Sequence, residues 1–322
     1  MKRRSFLQLT GSAVAATFGA TGAAHAWDGG AALPPPTDVK AYRQARRYAD
    51  LPCGRIAYVR RGAGAAALFL HGAPLSGFQW RGAIDLLSPD RLCLAPDFMG
   101  LGYSEIPERQ SVAPAAQVAM LATLLDALGI GQVDIIAADS GGAIAQLFMG
   151  RYPARVRSML LTNCDTEPNS PPSLIKPVLD MARAGTLADE TAKWLTDKHL
   201  ARSTFGAAVY RNPAGFTDDI IEYYVTPLVS TPLQRRQYHA FHNALTPNPL
   251  AGIEAALQRS TVPVRMVWGG SDPIFPLADA RYLDRTLPRS LGVCEVPEGK
   301  LFFQEEYPAT IAQEARRLWQ VA

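Results

Sequence analysis

The run Ala137-Ala138-Asp139-Ser140-Gly141-Gly142 sets a carboxylate beside a hydroxyl, directly after the apolar stretch Val133-Asp134-Ile135-Ile136 and before a helix-compatible segment. A nucleophile carried on a one-residue turn from strand to helix is forced into strained backbone geometry. The residues two before and two after it must then be small to avoid collision. Two frames meet that rule: Asp139 between Ala137 and Gly141, and Ser140 between Ala138 and Gly142. Either side chain is a candidate for covalent catalysis, while an Asp that only caps the following helix accounts for the same residues.

Such a turn needs a sheet behind it. Short apolar runs at 55–60, 66–70, 91–95, 133–137, 156–161, 262–268 and 291–296 alternate with longer amphipathic ones, among them 112–129 and 308–320. That alternation predicts parallel strands joined by crossover helices. Between 167 and 255 the strand rhythm stops in favour of helical pieces rich in aromatics and prolines, which predicts a helical cap inserted between two strands of one sheet. Open α/β sheets place their sites beyond the carboxyl ends of their strands. Three loops stand there: His71-Gly72-Ala73-Pro74, Asp97-Phe98-Met99-Gly100-Leu101-Gly102-Tyr103-Ser104, and the Asp139 turn.

These loops, in this order, with Trp268-Gly269-Gly270-Ser271-Asp272 after a late strand, resemble the α/β-hydrolase superfamily, in its branch of haloalkane dehalogenases and epoxide hydrolases. The resemblance runs from about residue 43 to the C-terminus. It implies an α/β-hydrolase fold: a mostly parallel eight-stranded sheet flanked by helices, with a core over 43–166 and 256–322 and a cap over 167–255. The family pattern of nucleophile-x-Gly-Gly matches Asp139 rather than Ser140. A serine-protease reading of Asp-Ser-Gly-Gly fails, because those enzymes are all-β. The resemblance further implies Asp272 as the acid that orients an imidazole, with Asp165 as second choice, and backbone N–H groups of Ala73 and Ser140 as an oxyanion hole. His71 and Asp97 are expected to shape turns, and the isomer of Pro74 is not fixed by sequence. Phe78, Trp80, Tyr210, Tyr223 and Tyr238 are expected to bind substrate.

The histidine that this pattern requires is absent. The five histidines are His25, His71, His199, His239 and His242, and none follows Asp272. In Glu298-Gly299-Lys300-Leu301-Phe302-Phe303-Gln304-Glu305-Glu306, matching the Gly, Phe and Glu-Glu positions puts Leu301 where the family has its imidazole. Loss of a general base removes about 10²–10⁴ in rate, so hydrolysis of an aspartyl ester should stall. His239 and His242, one helical turn apart in the cap, are the alternative bases. The Asn and Trp with which these dehalogenases hold halide are replaced by Ala73 and Ser140.

Composition narrows the class. Of 322 residues, 48% are hydrophobic, which fits a globular chain. The formal charge of +3 is supplied by Lys2, Arg3 and Arg4; without them 29 Lys and Arg face 29 Asp and Glu, leaving no footprint for nucleic acid. Residues 1–26, with paired arginines, a weakly apolar run and Ala24-His25-Ala26, read as a cleaved twin-arginine-type export signal, followed by a linker over 27–42. The expected compartment is the periplasm or the exterior of a bacterium, without stable membrane insertion. Cys53, Cys93, Cys164 and Cys294 are expected as free, buried thiols, and no spacing suits a metal. The expected function is a cofactor-free hydrolase acting through Asp139 on a small, largely apolar ester, epoxide or alkyl halide, with impaired turnover. A silent ligand-binding member, or a lyase or isomerase using Asp139 as a proton shuttle, are the alternatives. Oligomeric state is not legible.

Overall fold

Ala66–Leu70 and Ile135–Ala138 are apolar on both pleated faces, a pattern that only a sheet covered on both sides can bury. In the computed structural model, which describes residues 37–320, they do form the middle of such a sheet. The expected export signal and most of the linker lie outside the described residues. The strands are β1 (Arg46–Leu51), β2 (Gly54–Arg61), β3 (Ala66–Leu70), β4 (Leu92–Pro96), β5 (Val133–Asp139), β6 (Val156–Cys164), β7 (Val264–Gly269) and β8 (Ser290–Val296), in the order β1-β2-β4-β3-β5-β6-β7-β8. Pairing is antiparallel for β1 with β2 and β2 with β4, and parallel elsewhere.

The expected strands fall on β2 to β8. β1 has no counterpart among them: Arg-Arg-Tyr-Ala-Asp-Leu lacks apolar alternation, and it is a strand because the sheet edge offers β2 as an antiparallel partner. The principal helices are α1 (Val39–Ala45), α2 (Arg81–Leu87), α3 (Pro114–Ala127), α4 (Ser140–Arg151), α5 (Lys176–Ala184), α6 (Leu187–Thr196), α7 (Asp218–Val229), α8 (Pro232–Asn243), α9 (Leu277–Thr286) and α10 (Pro308–Trp319). No described helix is long and apolar enough to cross a membrane.

Two cores lie on the two faces of the sheet. Along β3, Ala66, Leu68 and Leu70 join one cluster with α3, α4 and residues of α5–α8, while Ala67 and Phe69 join the other with α2 and α10. The strand period of two thus assigns each side chain to a face. Cys93 and Cys164 are buried free thiols, whereas Cys53 and Cys294 are free but only half-buried, short of the expected burial.

The segment between β6 and β7 carries α5–α8 and contains the stretch expected as a cap. It shares an apolar cluster with the sheet domain, and polar contacts add to that hold. Glu305 Oε1 accepts from Tyr210 (2.8 Å) and Tyr224 (3.1 Å), and its other oxygen pairs with the buried Arg81 guanidinium. Glu306 accepts from the backbone N–H groups of Arg211 (3.0 Å) and Asn212 (2.8 Å). On another side, Arg46 donates to the Tyr223 hydroxyl at 2.6 Å with its guanidinium 3.4 Å from the centre of the Tyr103 ring. Replacement of Glu305 by Ala would leave a buried cation unpaired and two phenols without an acceptor, a loss of about 3–5 kcal/mol. Denaturant unfolding should show that loss, with Glu305→Gln recovering only part of it.

Candidate active site

β5 ends at Asp139 and α4 begins at Ser140, so the chain must change direction within one residue. Asp139 takes that bend, with φ 54° and ψ −134°, and is the one described residue other than glycine with positive φ. Strain of this kind costs on the order of 1–3 kcal/mol and persists only where the surroundings over-determine it. Two glycines make the bend possible. A Cβ on Gly141 would stand 2.5 Å from the His71 carbonyl oxygen, and one on Gly72 would stand 2.6 Å from the Asp139 Cβ. Of the two frames compatible with the sequence, the bend therefore falls on Asp139, while Ser140 is the first helical residue.

The Asp139 carboxylate is held at one oxygen. Oδ1 accepts the Ala73 N–H at 2.9 Å and the Ser140 N–H at 2.6 Å, the two donors expected of an oxyanion hole. Burial raises its pKa, opposed by those two bonds and by the Ser140 side chain. The Ala73–Pro74 peptide is cis. A relay of side chains fixes the turn: Gln79 Oε1 accepts from the Gly72 N–H at 2.8 Å, and Gln304, within 3.4 Å of Gln79, donates to Thr162 Oγ1 on β6.

His71 and Asp97 shape turns. The His71 ring donates from Nδ1 to the Gly72 carbonyl (2.9 Å) and accepts at Nε2 from the Phe98 N–H (2.9 Å), and burial lowers its pKa to about 4. It is neutral, with neither nitrogen free for acid–base work. Asp97 accepts from the Gly77 and Tyr103 N–H groups, both at 2.8 Å.

Two more carboxylates stand near Asp139. Asp272 is buried, with Oδ1 accepting from the Ile274 N–H (2.9 Å) and Oδ2 from Asn163 Nδ2 (2.8 Å); burial, chiefly, raises its pKa to about 7. Asp165 directly follows Cys164, the register partner of Asp139, and burial first, then the Asp139 charge, raises it likewise to about 7. No Lys, Arg or His is among the groups acting on these three carboxyls. Asn163 is a site residue missed in the sequence; a polar side chain inside the apolar run of β6 was the available signal.

Leu301, the position expected from the sequence to stand for the family's imidazole, is buried among apolar side chains. The Phe302 ring beside it has Cε1 2.8 Å from where a Gly72 Cβ would be, which brings an aromatic edge close to Asp139. Only its apolar character marked it in the sequence. Of the three histidines between β6 and β7, His199 is exposed and the other two bond backbone within that segment. His239 Nε2 accepts from the Ala188 N–H at 2.9 Å, and His242, lowered by burial to about 4, donates from Nδ1 to the Tyr238 carbonyl at 3.0 Å.

Of the expected substrate-binding residues, Trp80 requires correction. It packs on Phe69, ring centroids 5.9 Å apart, in the cluster with α2 and α10 on the face away from the cap. Phe78 lies in an aromatic group with Tyr42 (5.0 Å) and Tyr223 (4.8 Å). The expected tyrosines spend their hydroxyls within the cap or on its attachments: Tyr210 on Glu305, Tyr223 on Arg46, Tyr238 within 3.3 Å of Thr191. None hydrogen-bonds a carboxylate of the site. A cavity of about 380 Å³ borders Tyr210, Arg81 and Glu305 at the cap junction. Beside Ser140 lies an apolar crevice too narrow to admit a water molecule.

The family model for the alpha/beta hydrolase fold matches residues 67–307. Haloalkane dehalogenase 2 of Mycobacterium bovis is 26% identical over 300 residues, covering 85% of this chain and 95% of the relative. A 2-hydroxy-6-oxo-2,4-heptadienoate hydrolase of Pseudomonas putida is 35% identical over 103 residues, 31% of this chain and 37% of the relative. Among solved structures, a putative ancestral haloalkane dehalogenase has TM-score 0.73 at 23% identity, covering 85% of this chain and 99% of that one. An epoxide hydrolase without ligand has TM-score 0.71 at 23% identity, covering 85% and 98%. These structural likenesses show the fold alone.

The uncompensated carboxyls carry a pH signature. Their ordinary value is 3.8 and their folded value about 7, so the native state binds more protons than the unfolded one in that window. Their contribution to stability is therefore greatest at the acid end and is lost as pH rises through about 7. Denaturant unfolding from about pH 5 to 8 should show this decline, and Asp165→Asn should make it shallower.

Proposed function

Because the chain belongs to the alpha/beta hydrolase fold family, we propose that it reacts through Asp139 with a small, largely apolar substrate and releases the product slowly. The observation that carries this reading is the Asp139 carboxylate itself: at a strained bend, with Oδ1 bound by two backbone N–H groups. That leaves Oδ2 to attack an electrophilic carbon. The new C–O bond forms as the bond to the leaving group breaks, and the leaving group departs with the electron pair. In the resulting aspartyl ester, Oδ1 is the carbonyl oxygen and already lies between the donors that would stabilise an oxyanion.

Hydrolysis of that ester needs water to give up a proton as it adds. Leu301 has no titrating group, His71, His239 and His242 each hold a backbone group through a ring nitrogen, and His199 is exposed, so none of the described imidazoles is hydrogen-bonded to Asp139, Asp165 or Asp272. The first step is thus equipped and the second is not. The names of the relatives, haloalkane dehalogenase among them, support chemistry at an alkyl carbon. Ala73 and Ser140 supply no side-chain N–H to stabilise a departing halide.

Intact-mass analysis after incubation with 1-bromobutane or 1,2-epoxybutane should show one persistent adduct, mapped to Asp139 and absent from Asp139→Asn. Leu301→His should convert it to turnover, raising the multiple-turnover rate by about 10²–10⁴. Labelling of Ser140 by a fluorophosphonate, or fast turnover by the unaltered protein, would overturn the reading.

A further inference from the structure

The cavity of about 380 Å³ beside Arg81 and Glu305 lies within the size range of small-molecule sites. Arg81, at the start of α2, and Tyr307, just before α10, border it on the sheet-domain side, and Tyr210, Asn212 and Phe216, in the connection between α6 and α7, border it on the other. It shares no residue with the crevice beside Ser140, and none of its side chains hydrogen-bonds Asp139. The carboxylates around it are already occupied. Glu305 holds Tyr210, Tyr224 and Arg81, and Glu306 holds the backbone N–H groups of Arg211 and Asn212. What remains is donors. Arg81 is only 8% exposed, and its Nη1 alone serves the protein, donating to the Phe78 carbonyl (3.2 Å) and to Glu305. The Phe78 ring, 4.2 Å from Cζ, covers one face of the guanidinium. That leaves the Nε–Nη2 edge with no partner among the described residues, and packing does not seal it. Asn212 Nδ2 is likewise free, since its Oδ1 takes the Ala214 N–H at 3.2 Å.

We propose that this cavity is a second binding site, for a small aromatic monocarboxylate, and that the carboxylate takes the free Nε–Nη2 edge of Arg81. Two parallel N–H groups match the two oxygens of a planar carboxylate, and a charged fork of this kind is among the stronger hydrogen-bond arrangements in proteins. The rings of Tyr210 and Phe216, centroids 5.5 Å apart, supply apolar walls for a flat ring. Charge sets the rest. Arg81 and Arg211 formally balance Glu305 and Glu306, so one negative charge is accommodated at the donor edge, whereas a dianion would be repelled by both carboxylates. A cation would meet that same bare edge of Arg81, with every oxygen of Glu305 and Glu306 already holding a donor. A bound acid would touch both the sheet domain and the segment between β6 and β7, because the cavity has walls from each.

The test titrates the full chain with benzoate, its neutral isostere benzamide, and benzylamine, and follows the amide signals of Gly215 and Phe216, which line the cavity. Benzoate should shift both signals and bind about tenfold more tightly than benzamide, the scale of a charge-assisted hydrogen bond. Arg81→Lys keeps a cation for Glu305 but has no fork, and should bring benzoate down to the level of benzamide. Asn212→Asp leaves the fold alone, because the residue is exposed and Asp keeps the oxygen that holds the Ala214 N–H. It sets a negative charge at the rim and should weaken benzoate about fivefold with benzamide unchanged. Equal binding of benzoate and benzamide, tighter binding of benzylamine, benzoate binding indifferent to Asn212→Asp, or no shift at Gly215 and Phe216 overturns the proposal. None of the three probes can alkylate a carboxylate, so failure of the Asp139 adduct experiment and failure of this one are separately visible.

Discussion

The molecule is organised around a bend one residue long. Between β5 and α4 the chain has no loop in which to turn, so Asp139 alone absorbs the change in direction at positive φ. That geometry lifts the carboxylate clear of the sheet and aims two backbone N–H groups at the same oxygen. Strain there is tolerable because it is locked from several sides. Gly141 lies against the carbonyls of Leu70 and His71, and Gly72 against the Asp139 side chain, while Gln79 and Gln304 tie the facing turn to β6. A bulkier residue at either glycine would move the bend and dissolve the site.

The electrostatics around that bend are one-sided. Asp139, Asp165 and Asp272 share a buried region with no cation acting on it, and burial lifts all three carboxyls above their ordinary range. In a site with an imidazole, the acid would have a partner to orient and a charge to stabilise. Here Asp272 is instead satisfied by Asn163 and the Ile274 N–H, and the neighbouring space holds Leu301 and Phe302. No described imidazole is hydrogen-bonded to any of the three carboxyls.

The helical segment between β6 and β7 is held by polar anchors at its edges as well as by the apolar cluster it shares with the sheet. Glu305 gathers Arg81 and two cap phenols, and Arg46 reaches Tyr223 from the N-terminal side. These anchors explain the aromatic richness of the segment: its tyrosines are spent on holding the cap in place. A tyrosine count in a sequence cannot distinguish that use from substrate contact, because both call for an apolar ring with a polar tip.

What the sequence determined by itself was the chemistry strung along the chain. The order of strand-end loops, the small residues around Asp139 and the lack of any histidine after Asp272 are local facts, and backbone sterics tie them to one kind of turn. β1 was not legible, because an edge strand is made by its partner rather than by its own pattern. Only the tertiary structure decided which of two adjacent residues takes the bend, that Trp80 faces away from the cap, and that His239 and His242 serve the cap backbone. Each of these is a question of which face or partner a side chain finds across the sheet. Sequence spacing fixes neighbours along the chain, whereas burial and hydrogen bonding between distant segments fix neighbours in space.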